Sequence, residues 1–140
     1  MRPARPLADD RGSVLLLTIG YAVFALVLVL VCVNATSLYL AQKRLDALAD
    51  ASALAAADGF TLVVESGQPR TALTDGLVRT AAQEMVDAVG EGAALVSATA
   101  ADGLSARVTV TGTWHPPVIT IFVPDGVALS ATATSRNALR

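Results

Sequence analysis

Residues 42–59, QKRLDALADASALAAADG, decide how this chain is read. Two basic residues follow the opening glutamine, alanine then dominates, and Leu45, Leu48 and Leu54 are spaced through the stretch. Alanine is the strongest helix former, so a helix is expected whatever surrounds it. No glycine or proline interrupts the chain from Tyr21 to Asp58, so this helix continues unbroken from the apolar run before it. Gly59 then stands where a C-cap glycine ends a helix. Leu38, Ala41, Leu45, Leu48, Ser52 and Ala55 recur at alternating spacings of three and four, a seam with a period of about 3.5, as in coiled coils. Ala51 and Leu54 widen this seam, while Lys43, Asp46 and Asp50 fall on the opposite side. Small residues along a seam admit close approach. The expected occupant is the chain's own domain along part of the rod, with partner helices as the alternative.

The preceding run, Val14 to Val33, carries no charge and no proline. About 20 apolar residues at 1.5 Å each cover the roughly 30 Å of bilayer hydrocarbon. A soluble amphipathic helix would keep a polar stripe, and this run is apolar all round. The expected organisation is a short cytoplasmic tail over 1–12, a transmembrane helix over 13–35, its extracytoplasmic continuation over 36–58 and a small extracytoplasmic domain over 59–140. Arg2, Arg5 and Arg11 precede the span, while Lys43 and Arg44 follow it. The positive-inside count favours a cytoplasmic N-terminus, and Tyr39 then falls at the outer interface. A cleaved secretory signal that frees a small binding domain is the competing reading, with Val33-Asn34-Ala35 as the cleavage site, but its apolar region would exceed the usual length of about 7–15 residues; a generic single-span envelope protein is the third. Cys32 lacks the small residues that lipid attachment wants before it, and reads as a small buried hydrophobe.

Beyond Gly59, FTLVVE (60–65) has strand character and Ser66-Gly67-Gln68-Pro69 reads as a loop. A helix over about 70–90 follows, beginning somewhere between Pro69 and Asp75, with Leu77, Val78, Ala81, Ala82, Met85, Val86 and Val89 on its apolar face. Arg79, Thr80, Gln83, Glu84 and Asp87 form its solvated face, and Gly90 stops it. Strands are expected over about 94–101, 104–114, 118–123 and 127–135. Asp102-Gly103 is a hairpin signal between the first two. Leu104, Ala106, Val108 and Val110 alternate with polar residues, as do Val127, Leu129, Ala131 and Ala133, the pattern of half-buried antiparallel strands. VITIFV (118–123) is apolar on both faces. It is read as a central strand, the alternative being an exposed apolar loop near the membrane or a partner. The fold class is therefore α+β, a long membrane helix leading into one amphipathic helix against a small antiparallel sheet.

Composition narrows the function. Charged residues make up 16% of the 140, against roughly 25% in ordinary soluble domains. A net charge of −2 leaves no electrostatic footprint for nucleic acid. One cysteine permits no intramolecular disulfide. The single histidine, His115, beside two prolines, and the single cysteine do not make a usual zinc ligand set. Neither a Ser-His-Asp constellation nor a glycine-rich phosphate loop is found. No catalytic residue, metal, cofactor or small-molecule substrate is expected.

The order of parts is specific: a basic tail to Arg11-Gly12-Ser13, an apolar span, LYLAQKRLDALADASALAAADG (38–59), a small α/β region and a closing LSATATSR (129–136). Over essentially its whole length the chain resembles the TadE/TadG-like proteins of the tight adherence (Flp pilus) system, nearer TadG. The basic pair followed by aspartate among leucines and alanines carries most of that resemblance. It implies a membrane-anchored, pilin-like component of a pilus assembly machine, acting by helix packing alongside a secretion ATPase, membrane platform proteins and the major pilin, with lipid as its other partner. Prepilins of such systems are cut after a glycine, and Gly12-Ser13 falls where that cut would be. Leu17 stands where the processing pattern places glutamate, so cleavage and an uncut anchor both remain open. Some longer relatives carry an additional large domain, for which 140 residues leave no room.

Overall fold

The fold was obtained as a computed structural model, which describes residues 10–59, 61–65 and 68–136. A single helix, α1 (Asp10–Asp58), runs for 49 residues, roughly 70 Å at the standard rise per residue. Most of the expected tail 1–12 lies outside the described residues, and Asp10 to Gly12 are already helical. Two polar residues in the apolar part turn their donors onto the backbone: Thr18 Oγ1 donates to Val14 O and Asn34 Nδ2 to Leu30 O, both at 2.8 Å. Such bonds to the carbonyl one turn back keep side-chain donors satisfied without water. The helix stops before Gly59, where the sequence places its cap.

A two-stranded antiparallel ribbon follows, β1 (Thr61–Glu65) with β2 (Gln68–Ala72). Gln68 and Pro69, expected in a loop, are in β2, while Ser66 and Gly67 lie outside the described residues. The second helix, α2 (Asp75–Val89), starts at the late end of the expected window between Pro69 and Asp75. Arg70, Thr71 and Ala72 are held in the ladder with β1, and Thr74 is the N-cap, extended at φ −112° and accepting the Leu77 N–H. The Asp75 carboxylate accepts the Ala100 N–H at 2.7 Å, tying the start of α2 to the end of the next strand. Val78, Ala82 and Val86 are buried, while Arg79, Thr80, Gln83, Glu84 and Asp87 are exposed.

The main sheet is a three-stranded antiparallel meander, β3 (Ala93–Ala100), β4 (Ser105–Trp114) and β5 (Val127–Arg136), with β4 in the centre. A bulge interrupts β3 between Leu95 and Ser97. At the β3–β4 turn Gly103 has φ 71°. The Asp102 carboxylate accepts the Leu104 and Ser105 N–H groups and the Ser105 hydroxyl. These bonds, that from Leu104 foremost, hold its carboxyl below the ordinary value. One face of the sheet is covered by both helices: α1 lies over β4 and β5, and α2 over β3. Ala106, Val108 and Val110 are fully buried there, joined by Ala98, Ala131 and Ala133. The other face is polar, with a Thr109–Thr132 hydroxyl bond at 2.9 Å and Arg107 Nε donating to Thr134.

The expected strand 118–123 is not one. VITIFV forms a series of turns in the β4–β5 connection, in which Ile119 O accepts the Phe122 and Val123 N–H groups. Both edges of β4 are already occupied, by β3 and by β5, and the β4–β5 pairing closes at Trp114↔Val127. Pro116, Pro117 and Pro124 flank the segment, and proline cannot donate to a ladder. Ile121 is 89% exposed and Phe122 82%.

The approach of α1 to α2 is limited at Gly90, where a Cβ would lie 2.5 Å from Val86 O and 3.0 Å from Leu48 Cδ2. Gly76, within α2, has nothing within 4 Å of that position. Gly90→Ala is expected to destabilise by about 1–3 kcal/mol, the usual cost of overpacking. Gly76→Ala should instead stabilise by about 0.4–1 kcal/mol. Thermal unfolding of the two variants in detergent checks the opposite signs.

Candidate functional site: the two halves of the long helix

The first half of α1 is bare. Every residue from Gly12 to Val33 is exposed, including fifteen large apolar side chains from Val14 to Val33. Among the described residues one helix is long and apolar enough to cross a membrane, and none of its most apolar window is buried inside the chain. A core helix of a soluble protein would be mostly covered. Cys32, expected as a small hydrophobe buried in the membrane span, lies on this exposed apolar surface. Gly12 and Ser13, the expected processing position, lie in the first turns of α1 with exposed side-chain positions.

The second half of α1 is the docking half. Leu45, Leu48, Ala49, Ser52, Ala53, Ala56 and Ala57 are buried against the sheet and α2. Of the six seam residues, Leu45, Leu48 and Ser52 lie in this buried stripe, Ala41 and Ala55 are half-buried, and Leu38 is exposed. On the side expected to widen the seam, Ala51 is half-buried and Leu54 is 57% exposed. Burial instead extends to the other side, through Ala49, Ala53 and Ala57. The buried residues fall into two rows of spacing four, 45-49-53-57 and 48-52-56. A row of spacing four follows an ordinary helix of about 3.6 residues per turn, whereas a strict 3.5 seam needs a supercoil around a second helix. Against a sheet no supercoil is imposed, so the stripe drifts from the heptad positions after Ser52.

Polar groups register the helix on the sheet. Gln42 Nε2 donates both to Ser130 O on β5, at 3.1 Å, and to Asp46 Oδ1, at 2.9 Å. Lys43 Nζ lies 3.3 Å from Asp46 Oδ2 and sits over the Tyr39 ring. The Gln42 amide, aided by Lys43, holds the Asp46 carboxyl below its ordinary value against partial desolvation. Trp114 Nε1 donates to Ser37 Oγ at 3.1 Å, joining the end of β4 to α1 just beyond its apolar half. The sequence reading placed Trp114 only as a strand terminus. Its signal was that the chain's one tryptophan precedes His-Pro-Pro and an uncharged apolar run.

Among the described residues no group of three His, Cys, Asp or Glu gathers to hold a metal, and His115 is an exposed loop residue.

Two substitutions separate the faces of the docking half. Leu48→Asp forces a carboxylate into the core and is expected to unfold the domain or lower its melting temperature sharply, while Asp50→Ala, on the exposed side, should lie within about 0.5 kcal/mol of the parent. Similar melting curves for the two would remove the docking face as described. Ser52 carries the other signal, for its hydroxyl is fully buried with no hydrogen-bond partner among the described residues. Removing an unsatisfied buried hydroxyl relieves a desolvation cost of about 1–3 kcal/mol, so Ser52→Ala should raise the melting temperature.

Residues 12–59 match the family model of Flp pilus-assembly TadE/G-like proteins, named Tad. The matched segment covers α1 from its first turn to its stop, about a third of the chain, and the sheet domain lies beyond it. No match is found among curated proteins or among solved structures.

Proposed function

We propose that the chain is a single-pass, non-enzymatic component of a Flp-type (tight adherence) pilus assembly system, a minor pilin or assembly factor nearer TadG than TadE. In this reading α1 anchors it in the cytoplasmic membrane with the N-terminus inside, and the sheet domain stands outside on the second half of the same helix. It contributes to pilus biogenesis and adhesion through contacts with lipid and with other pilus proteins or pilin helices.

One observation carries the reading: the family match falls on the segment that combines a bare apolar half with a small-residue docking half. Support comes also from the exposed apolar surface of residues 14–33, which water would not tolerate as a contiguous patch. A second reading has its own observation. All buried residues of α1 lie at or after Leu45, so a domain released by cleavage near Ala35 would keep its core.

The mass of the protein recovered from the membrane fraction discriminates between these. An intact N-terminus is expected for an uncut anchor, and a start at Ser13 would mark pilin-type processing. A start at Thr36 in the soluble fraction would overturn the anchored reading. Deleting the gene is expected to abolish surface fibres and adherence, and unchanged piliation would overturn the pilus role.

A further inference from the structure

The anchor reading leaves one apolar surface unaccounted for, the β4–β5 connection, residues 115–126. From His115 to Pro124 it contains no Asp, Glu, Lys or Arg. Ile121 and Phe122 are 89% and 82% exposed, more than any large apolar side chain of the bare half of α1. The loop has a defined shape: Thr120 Oγ1 donates to Pro116 O, Phe122 and Val123 donate to Ile119 O, and Gly126 donates to Val123 O. Pro116 is fully buried beneath it. Gly126, at φ 70°, brings the chain back against Thr113 and Trp114, where any Cβ would clash. A mobile loop could fold its apolar side chains inward, but this one is braced to present them.

Its position along α1 identifies the surface it meets. β4 descends the helix, with Gly112 beside Leu45 and Trp114 bonded to Ser37, and the loop continues past the end of the sheet. The Trp114 indole shares a groove with Cys32, Val33, Thr36 and Leu40. Ser37 lies about 6 Å along the axis beyond Val33, the last residue of the uncharged apolar run. The headgroup layer is about 5–7 Å thick on each side of the hydrocarbon. The indole is therefore held at headgroup depth, the level tryptophan favours, and the loop stands beside it at the same end of the sheet.

We propose that residues 115–126 form a second membrane contact, inserting Ile121 and Phe122 into the leaflet crossed by the outer end of α1. This rests on α1 spanning the bilayer. The insertion gives the domain two attachment points on the lipid, the rod and the loop, which sets the direction in which the rod tilts, toward the side that carries the loop. A single helix alone would leave the direction of that tilt free.

Because Trp114 is the chain's one tryptophan, reporters can be placed cleanly. In a Trp114→Phe background, Phe122→Trp reports on the loop and Phe24→Trp on the span. Both full-length variants are reconstituted in phosphatidylethanolamine–phosphatidylglycerol vesicles, with or without bromine on the lipid acyl chains. Insertion predicts blue-shifted emission from the Phe122→Trp variant, loss of most of that emission to brominated lipid, and protection from aqueous acrylamide. The Phe24→Trp variant should be quenched by brominated lipid as well. Quenching of the span reporter alone, with the loop reporter open to acrylamide, overturns the loop insertion and leaves the span intact. Quenching of neither overturns both. Blue-shifted loop emission that brominated lipid does not quench shows that protein covers the loop, and also overturns the proposal.

Discussion

The unbroken backbone of α1 is the constraint on which the rest of the structure depends. Without a proline, and with its two glycines, Gly12 and Gly20, near its start, the helix passes from an all-apolar half to a one-sided half with no hinge between them. Whatever holds the first half also fixes the axis of the second. The sheet and α2 are packed on that second half and form no core without it: Leu45, Leu48 and the alanines through Ala57 supply one wall of the buried cluster. A break near residue 40 would uncouple the two halves, and no residue there favours one.

The choice of alanine on the docking face follows from this geometry. Each alanine buries little area, and at roughly 25 cal/mol per Å² contributes little transfer free energy. What it permits is proximity. Ala49, Ala53, Ala56 and Ala57 let the helix backbone come close to Val78, Val108 and Val110, which are fully buried. Close packing then recovers dispersion contacts that a wider spacing would lose. Gly90 extends the same logic to α2, where even a methyl group would meet Leu48. This core is narrow and dense, and it contains no aromatic side chain among its buried residues.

Much of this was legible in the sequence because it depends on local pattern. The extent of α1 past Tyr21 followed from the lack of glycine and proline, its stop from Gly59, and the buried face of α2 from Val78, Ala82 and Val86 at helical spacing. The alternation in β4 gave its core face directly. The misreadings share a different cause. VITIFV is apolar on both faces whether it is covered by two protein layers or by something outside the chain, and periodicity cannot separate those cases. The strand edges that exclude it from the sheet are a property of topology. The start of α2 was bracketed only between Pro69 and Asp75 because Arg70 to Ala72 pair with β1, a nonlocal contact, although Thr74-Asp75 carried a readable cap. The drift from a 3.5 to a 3.6 stripe after Ser52 likewise depends on whether the partner is a helix or a sheet.

Polarity is sorted along the molecule as well as across it. The largest continuous apolar exposure covers residues 14–33, and the most exposed apolar side chains of the domain, Ile121 and Phe122, sit at the end of the sheet nearest to it. The opposite end carries the Asp102 turn and Asp58, and its exposed apolar residues elsewhere, such as Leu54, Val89 and Val96, are scattered singly, as on any soluble surface. A domain that merely hung from a tether would have no reason to concentrate uncharged, braced apolar side chains on its tether-facing end. An orientation held by both rod and loop supplies one.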